Sequence, residues 1–399
     1  MTDVRIVWTP SRCEELPSDS DLLYVDVLDV QFGVRWGRKV TSGQRNAMRL
    51  AWARCVSSQE PLAPPLPLEP TASQPFSASV THQSLANDVG TFQLQAGSFE
   101  ELAENLTSRL TVAAILANAG ELMMLHACGV ADPSTGAVVA LVAKSGTGKT
   151  TAASVLARIY GYVTDETVAI GPDGSVVSYP KPLSVKQGHG LPKRQVGPDE
   201  LGLQPAPAKP VIHSIVLLNR VQSSPSAAPL LQRVPVADAV LALIPDSSSQ
   251  GDIEEPLQSL CRLIDSVGGV WQVTYSEAAD LPAALEPLFR AQPETEPEWE
   301  PRAAEVAQLG PLPDGCIRRA AFKDAVVING DALVMLDNEI VRLSGIGPVI
   351  WEASANPVTL DQLAGEVGLV HGSPEGYREA VAGATAQLIG KAVLEQGSK

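Results

Sequence analysis

The segment from Ala137 to Gly161, AVVALVAKSGTGKTTAASVLARIYG, restricts the fold of this chain more than any other part of the sequence. A continuous apolar run leads into the small residues Ser145 to Gly148, and apolar residues at helical spacing follow Thr151. Small residues allow consecutive backbone N–H groups to surround phosphate oxygens, and a helix N-terminus adds partial positive charge. The pattern therefore predicts a phosphate-binding loop between a buried strand and a helix.

The residue types in this loop indicate a nucleoside triphosphate, taken here as ATP with Mg²⁺. Lys149 supplies a point charge for the β- and γ-phosphates, and the Thr150 hydroxyl can complete a Mg²⁺ shell. The position of the first glycine of the usual pattern is held by Ala143, which restricts the entry of the chain if that position needs a positive φ. The predicted nucleotide-binding residues are Ser145, Gly146, Thr147, Gly148, Lys149, Thr150 and Thr151.

Bulk properties exclude several classes of protein. A length of 399 residues suggests two or three domains, and a net charge of −16 argues against a surface that binds nucleic acid. The five cysteines show no metal-binding or disulfide spacing, which fits a reducing compartment. Because there is no signal-like N-terminus and no long apolar run, we expect a cytoplasmic protein without a membrane partner.

Three further sets of residues are candidates for chemistry. Asp165 and Glu166 follow a short strand after the loop, where one carboxylate can accept a proton and the other can hold a metal; a charged turn is the alternative. The apolar run of residues 122–130 predicts one strand, and the position of His126 within it favours a core residue over a catalytic one. Lys181 and Lys186 can bind phosphoryl oxygens or be solvated surface lysines.

Changes in pattern divide the chain into four parts. Residues 1–97 alternate short apolar runs with turns and predict a strand-rich region, and residues 98–290 begin with a capped amphipathic helix from Ser98 and contain the loop. Residues 291–312 are rich in proline and glutamate and predict a linker. Residues 313–399 predict a compact domain of four short strands followed by three helices.

His126, the loop at Ser145 to Thr150 and the Asp165–Glu166 pair together resemble the catalytic core of HPr kinase/phosphorylase. The resemblance covers residues 100–275 and implies a P-loop α/β (α+β) fold shared with phosphoenolpyruvate carboxykinase. It also implies that His126 and the acidic pair line the active site with Lys149, that Asp165 is the base, and that Thr150 and Glu166 are metal ligands. Glu166 stands where the family has a second aspartate, and the M-E-[IV]-R-G-x-G segment of the bifunctional HPr enzymes is absent from the sequence.

Residues 316–395 resemble the PqqD-like proteins, which are small winged-helix modules that bind leader peptides of ribosomally made, modified peptides. Leu336-Asp337, Leu343-Ser344, Gly347 and Ile350-Trp351 carry this resemblance, although core and turn chemistry explains the same residues. It implies that a peptide adds a strand to an exposed sheet edge beside a helix.

The two resemblances together predict an ATP-dependent, serine-type kinase that phosphorylates a hydroxyl of a precursor peptide. The C-terminal domain would bind the leader, and tethering would raise the effective concentration of the acceptor. Two alternatives remain open: a nucleotide-gated module that binds a leader peptide without phosphotransfer, and a small-molecule kinase. The HPr kinase resemblance also makes a homo-oligomer possible.

Overall fold

The computed structural model describes residues 20–57, 63–83, 88–143, 148–188, 190–222, 228–290, 296–304, 310–337 and 339–397. Within these ranges the chain forms nine α-helices and 23 β-strands, so the architecture is mixed α/β, as the sequence predicts. None of the helices in the described ranges is both long enough and apolar enough to cross a bilayer.

The N-terminal region is a four-stranded antiparallel sheet in the order β1-β2-β3-β4, packed against a long helix. The helix begins where its cap predicts, because the Ser98 hydroxyl accepts a hydrogen bond from the backbone N–H of Glu101 at 3.1 Å. The Glu101 carboxylate accepts from Gly97 instead of completing a capping box at Ser98. The elements are β1 Leu22–Val27, β2 Val30–Trp36, α1 Ser42–Ala51, β3 Phe76–Gln83, β4 Val89–Ala96 and α2 Phe99–Ala117.

The central region contains a seven-stranded mixed sheet in the order β13-β8-β6-β7-β14-β17-β15. Its strands β8, β7, β14 and β17 run in one direction, because β6 is antiparallel to both β7 and β8 and the pairs β7–β14 and β14–β17 are parallel. The elements up to β10 are β5 Met123–Leu125, β6 Ala127–Ala131, β7 Ala137–Val142, α3 Lys149–Leu156, β8 Gly161–Thr164, β9 Val168–Ile170 and β10 Val176–Val177. The following elements are β11 Leu183–Val185, β12 Arg194–Val196, β13 Gln204–Pro205, β14 Val211–Arg220, β15 Leu230–Val234, α4 Val236–Leu243, β16 Ser247–Ser248, α5 Pro256–Ser266, β17 Val270–Tyr275 and α6 Leu281–Leu285.

Both faces of this sheet are covered, which explains the continuous apolar runs in its strands. Val139 and Leu141 of β7 pack on one side with residues of α3 and α6. Val138 and Ala140 of the same strand pack on the other side with residues of α4 and α5. Alternate residues of one strand therefore belong to two separate cores.

The apolar run of residues 122–130, predicted as one strand, is two strands in two sheets. Strand β5 belongs to a small antiparallel sheet with β9 and β16, whereas β6 belongs to the central sheet. The break falls at His126, whose backbone N–H donates to the carbonyl of Asp246 at 2.6 Å. His126 is therefore at a strand boundary and is partly exposed.

The C-terminal region contains the four strands and three helices that the sequence predicts. A fifth strand, β23, was not expected and pairs with β19. Strand β18 lies inside the segment predicted as a linker and pairs with β20, so part of that segment is the edge of a sheet with the order β18-β20-β21-β22. The elements are β18 Trp299–Arg302, β19 Ile317–Arg319, β20 Asp324–Ile328, β21 Asp331–Met335, β22 Ile340–Leu343, α7 Gly347–Ala353, α8 Leu360–His371, α9 Tyr377–Gly390 and β23 Leu394–Gln396.

This C-terminal sheet packs against helix α5 of the central region. Val326 and Leu333 share an apolar core with residues of α5. The buried Asp324 carboxylate accepts hydrogen bonds from the backbone N–H groups of Leu257 at 2.7 Å and Gln258 at 3.1 Å, and from the Gln258 side chain at 2.7 Å. Asp324 thus satisfies donors at the N-terminus of a helix from another region of the chain.

Candidate functional site

One edge of the central sheet brings the predicted residues together. Because β7, β8 and β14 run in the same direction, their carboxyl ends lie at the same edge, which is where α/β proteins bind ligands. Gly148 and Lys149 follow β7, Asp165 follows β8, and Arg220 ends β14. His126 joins them because the antiparallel strand β6 begins at this edge. All five residues line one cleft with a volume of about 860 Å³.

The described part of the predicted phosphate loop begins at Gly148; Ser145, Gly146 and Thr147 lie outside the described residues. Gly148 has φ +104°, a conformation that side chains other than glycine rarely adopt, and helix α3 starts directly after it. Thr150 and Thr151 occupy the first turn of α3, and both line the cleft.

Lys149 is buried, and its Nζ donates a hydrogen bond to the carbonyl of Ala143, the residue that replaces the first glycine. Burial lowers the pKa of the Lys149 ammonium, and the negative charge of Asp246 partly offsets this effect. A desolvated ammonium beside a helix N-terminus favours a polyanionic ligand, because both then gain an electrostatic partner.

The Asp165–Glu166 pair is bound to Lys181. The Lys181 ammonium lies 2.9 Å from Asp165 Oδ1 and 3.1 Å from Glu166 Oε2. Lys181 is only 2% exposed, so it is not the solvated surface lysine that was one alternative from the sequence. Burial alone would lower the pKa of Lys181, but the charges of Asp165 and Glu166 outweigh it and raise that pKa well above the usual lysine range.

Asp165 is held from a second side by Tyr162, whose hydroxyl donates to Asp165 Oδ1 at 3.0 Å. Cys128 of β6 is fully buried, and burial together with the charge of Asp165 raises the pKa of its thiol to about 12. The Tyr162 hydroxyl and the Lys181 ammonium both contact Oδ1 of this carboxylate. The position of Asp165 is fixed by its neighbours and not by solvent.

Arg220 is a cleft residue that the sequence did not single out. Its Nε donates to the carbonyl of Ser276 at 3.0 Å, which fixes the guanidinium. A methyl group added at Gly148 would lie 3.9 Å from Arg220 Nη1, so the guanidinium is beside the phosphate loop. In the sequence, the only indication of a role for Arg220 is that this basic residue ends a long apolar run.

The cleft is basic although the chain as a whole is acidic. Its lining contains five cationic side chains and two carboxylates, whereas the chain carries a net charge of −16. The cations are Lys149, Lys181, Lys186, Lys193 and Arg220. Such a local reversal of charge concentrates anionic ligands at one place on the surface.

The described residues contain no group of three or more His, Cys, Asp or Glu side chains arranged to hold a metal ion. Mg²⁺ at nucleotide sites commonly has only one or two protein oxygens, with phosphate oxygens and water as the other ligands. Thr150 and Glu166, which both line the cleft, are compatible with that lower requirement. A metal bound by protein side chains alone does not fit this site.

No protein-family model matches the chain, and the search of curated proteins gave no significant match.

Proposed function

We propose that this chain is an ATP-dependent kinase that phosphorylates a hydroxyl of a ribosomally made peptide. One observation carries the proposal: a single sheet edge brings a lysine at a helix N-terminus, an arginine and a buried carboxylate into one basic cleft. Phosphoryl transfer from ATP depends on positioning and on charge stabilisation, and these three groups would supply both.

Lys149 and Arg220 would bind the triphosphate. Lys149 leads α3, whose N-terminal N–H groups favour phosphate oxygens, and Arg220 can form two parallel hydrogen bonds to an oxyanion. Arg220 is held through Nε, and no other hydrogen bond or ion pair of its side chain occurs among the described residues. Its two terminal nitrogens are therefore available to a ligand.

Asp165 would accept the proton of the acceptor hydroxyl. As the O–H bond breaks, the acceptor oxygen forms a bond to the γ-phosphorus, and the bond between that phosphorus and the ADP oxygen breaks. Tyr162 and Lys181 both contact Oδ1 of Asp165, which leaves Oδ2 without a described hydrogen bond. His126, at the boundary between β5 and β6, would contact the acceptor.

Thr150 and Glu166 would hold Mg²⁺, which when bound neutralises charge on the phosphate oxygens. The Glu166 side chain is 33% exposed and is tied to Lys181 through Oε2, so Oε1 would be the ligand.

The C-terminal region would bind the leader of the acceptor peptide by strand addition. The order β18-β20-β21-β22 leaves one side of β18 and one side of β22 without a strand partner among the described residues, and the β22 edge would bind the leader. Arg342 of β22 forms an ion pair with Asp238 of α4 at 2.7 Å, which ties this edge to the central region. A captured leader would therefore lie at a fixed position relative to the kinase.

Two other functions use the same residues differently. A leader-binding module without phosphotransfer would need the nucleotide cleft but no base. A small-molecule kinase would need the base but not the β22 edge. Deleting residues 296–399 would not separate these possibilities, because it would expose the apolar residues of α5 that pack against the C-terminal sheet.

The proposal is tested with γ-labelled ATP and a library of peptides that each contain one serine. We expect labelled phosphoserine with the wild type and about 10²-fold less with Asp165→Asn, the typical loss for a general base. Asp173→Asn, at an exposed turn, is the control and should behave as the wild type. Transfer that persists in the Asp165→Asn variant refutes the assigned base, and nucleotide binding without transfer favours the binding module.

A further inference from the structure

A second cavity adjoins the cleft. It is a groove of about 610 Å³ between helices α1 and α2 of the N-terminal region and strand β12 of the central region. Strands β11 and β12 form a hairpin: Ser184 and Val185 of β11 line the cleft, whereas Arg194 and Gln195 of β12 line the groove. The hairpin is therefore the wall between the two cavities.

Lys193 lines both cavities and marks the place where they meet. Its backbone N–H donates to Glu104 Oε2 at 2.9 Å, and its Nζ lies 3.4 Å from Glu104 Oε1. Helix α2 thus fixes this residue at the junction. The groove and the cleft are therefore adjacent at Lys193.

The groove has an apolar floor. Met48, Phe99 and Ala103 are buried side chains that form it, and Leu50 remains 65% exposed at its side. An exposed leucine beside a concave apolar surface gains free energy when a ligand covers it.

Four of the five charged residues that line the groove are in ion pairs, and Glu100 has none among the described residues. Lys193 is paired with Glu104, Arg194 with Glu200, and Asp199 with Arg54. Because all of these charges except that of Glu100 are compensated, the groove offers more to an uncharged apolar group than to an anion.

We propose that the groove binds an apolar segment of the acceptor peptide, adjacent to the hydroxyl that enters the cleft. This inference rests on the proposed kinase function and assigns the N-terminal region a role in selecting the acceptor. The position of Lys193, which lines both cavities, identifies the occupant, since a peptide bound in the groove would lie next to the cleft. A second copy of the protein is the competing occupant.

Two substitutions test the groove in the full-length chain. Ala47→Trp fills it from an exposed helix position, and Leu50→Asp makes its side polar. Leu116→Asp is a matched control, because Leu116 is 66% exposed on α2 and does not line the groove. The probe is a positional-scanning library of single-serine peptides with γ-labelled ATP.

We expect the wild type to prefer apolar residues at one or more positions near the serine. Ala47→Trp and Leu50→Asp should each reduce transfer to the preferred peptides about ten-fold, as loss of one buried aliphatic contact implies. Their affinity for ATP should not change, and Leu116→Asp should match the wild type. Absence of an apolar preference in the wild type, or its persistence in both variants, overturns the proposal.

A second measurement separates this inference from the kinase function. The same library is selected on immobilised protein without ATP, and enrichment of apolar peptides should be lost in Ala47→Trp. If the wild type transfers no phosphate but shows this groove-dependent enrichment, the kinase function fails and the peptide groove stands. If light scattering shows that Leu50→Asp converts a dimer into a monomer while Leu116→Asp does not, the groove is a contact between copies and the proposal is wrong.

Discussion

Replacing Lys181 with methionine removes the ammonium group that lies between Asp165 and Glu166. The Asp165 side chain is only 4% exposed, so it would remain buried without a counterion. Removal of one partner from a buried ion pair typically costs about 3–5 kcal/mol of unfolding free energy. The Glu166 side chain is 33% exposed, and solvent screening limits its share to at most about 1 kcal/mol.

For a cooperative unit the size of the central region, this loss corresponds to a fall in melting temperature of roughly 6–20 °C. Differential scanning calorimetry of the full chain measures it. Lys186→Met is the matched control, because Lys186 lines the same cleft from an exposed position. The control should change the unfolding free energy by no more than about 0.5 kcal/mol.

The pH dependence gives a second check. The pKa of Lys181 is raised from its ordinary value of 10.5, so its ion pairs contribute fully below pH 10.5 and lose that contribution as the pH rises further, toward the pKa in the folded protein. The stability difference between wild type and Lys181→Met should therefore be constant near neutral pH and shrink in strong alkali. A Lys181→Met variant as stable as Lys186→Met at pH 7 would refute the assignment of Lys181 as the counterion of the acidic pair.

Three other outcomes are expected. Asp324→Ala should lower the unfolding free energy by about 2–4 kcal/mol in urea denaturation, because three donors at the start of α5 lose their acceptor; an unchanged midpoint contradicts this role. Gly148→Ala should strain a φ of +104° by roughly 1–2 kcal/mol and weaken binding of a fluorescent ATP analogue, and equal affinity would show that the loop tolerates a side chain. Arg220→Met should reduce phosphate transfer about 10²-fold or more, whereas Ser276→Ala should not, since Arg220 donates to the backbone carbonyl of Ser276, which the alanine variant retains.

Local sequence patterns determined much of the secondary structure. The apolar strand and the helix on either side of the loop are where their spacing places them, and α2 begins at its predicted cap. The four strands and three helices of the C-terminal region were likewise predictable from turn residues and apolar periodicity. Such features depend on residues a few positions apart, whose interactions are encoded directly in the sequence.

The grouping of the candidate site depended on contacts that the sequence does not encode locally. Strand direction in the central sheet places Arg220 beside a loop more than 70 residues earlier. Lys181 pairs with Asp165 because the segment after β10 returns to the cleft. Sequence spacing did not decide whether the Lys181 side chain is buried or exposed. His126 was expected to belong to a continuous strand, but its neighbours pair with two different sheets.

The sequence by itself predicted a phosphate-binding loop and determined an acidic pair downstream and a series of amphipathic elements, because these follow from residue type, backbone conformation and apolar periodicity. Only the tertiary structure decided which charges neutralise one another, which strand ends meet, and that residues Trp299–Arg302 complete a sheet instead of spanning open solvent. Those choices are set by the order and direction of strands far apart in the chain, where the gain from burying both sheet faces outweighs any local preference.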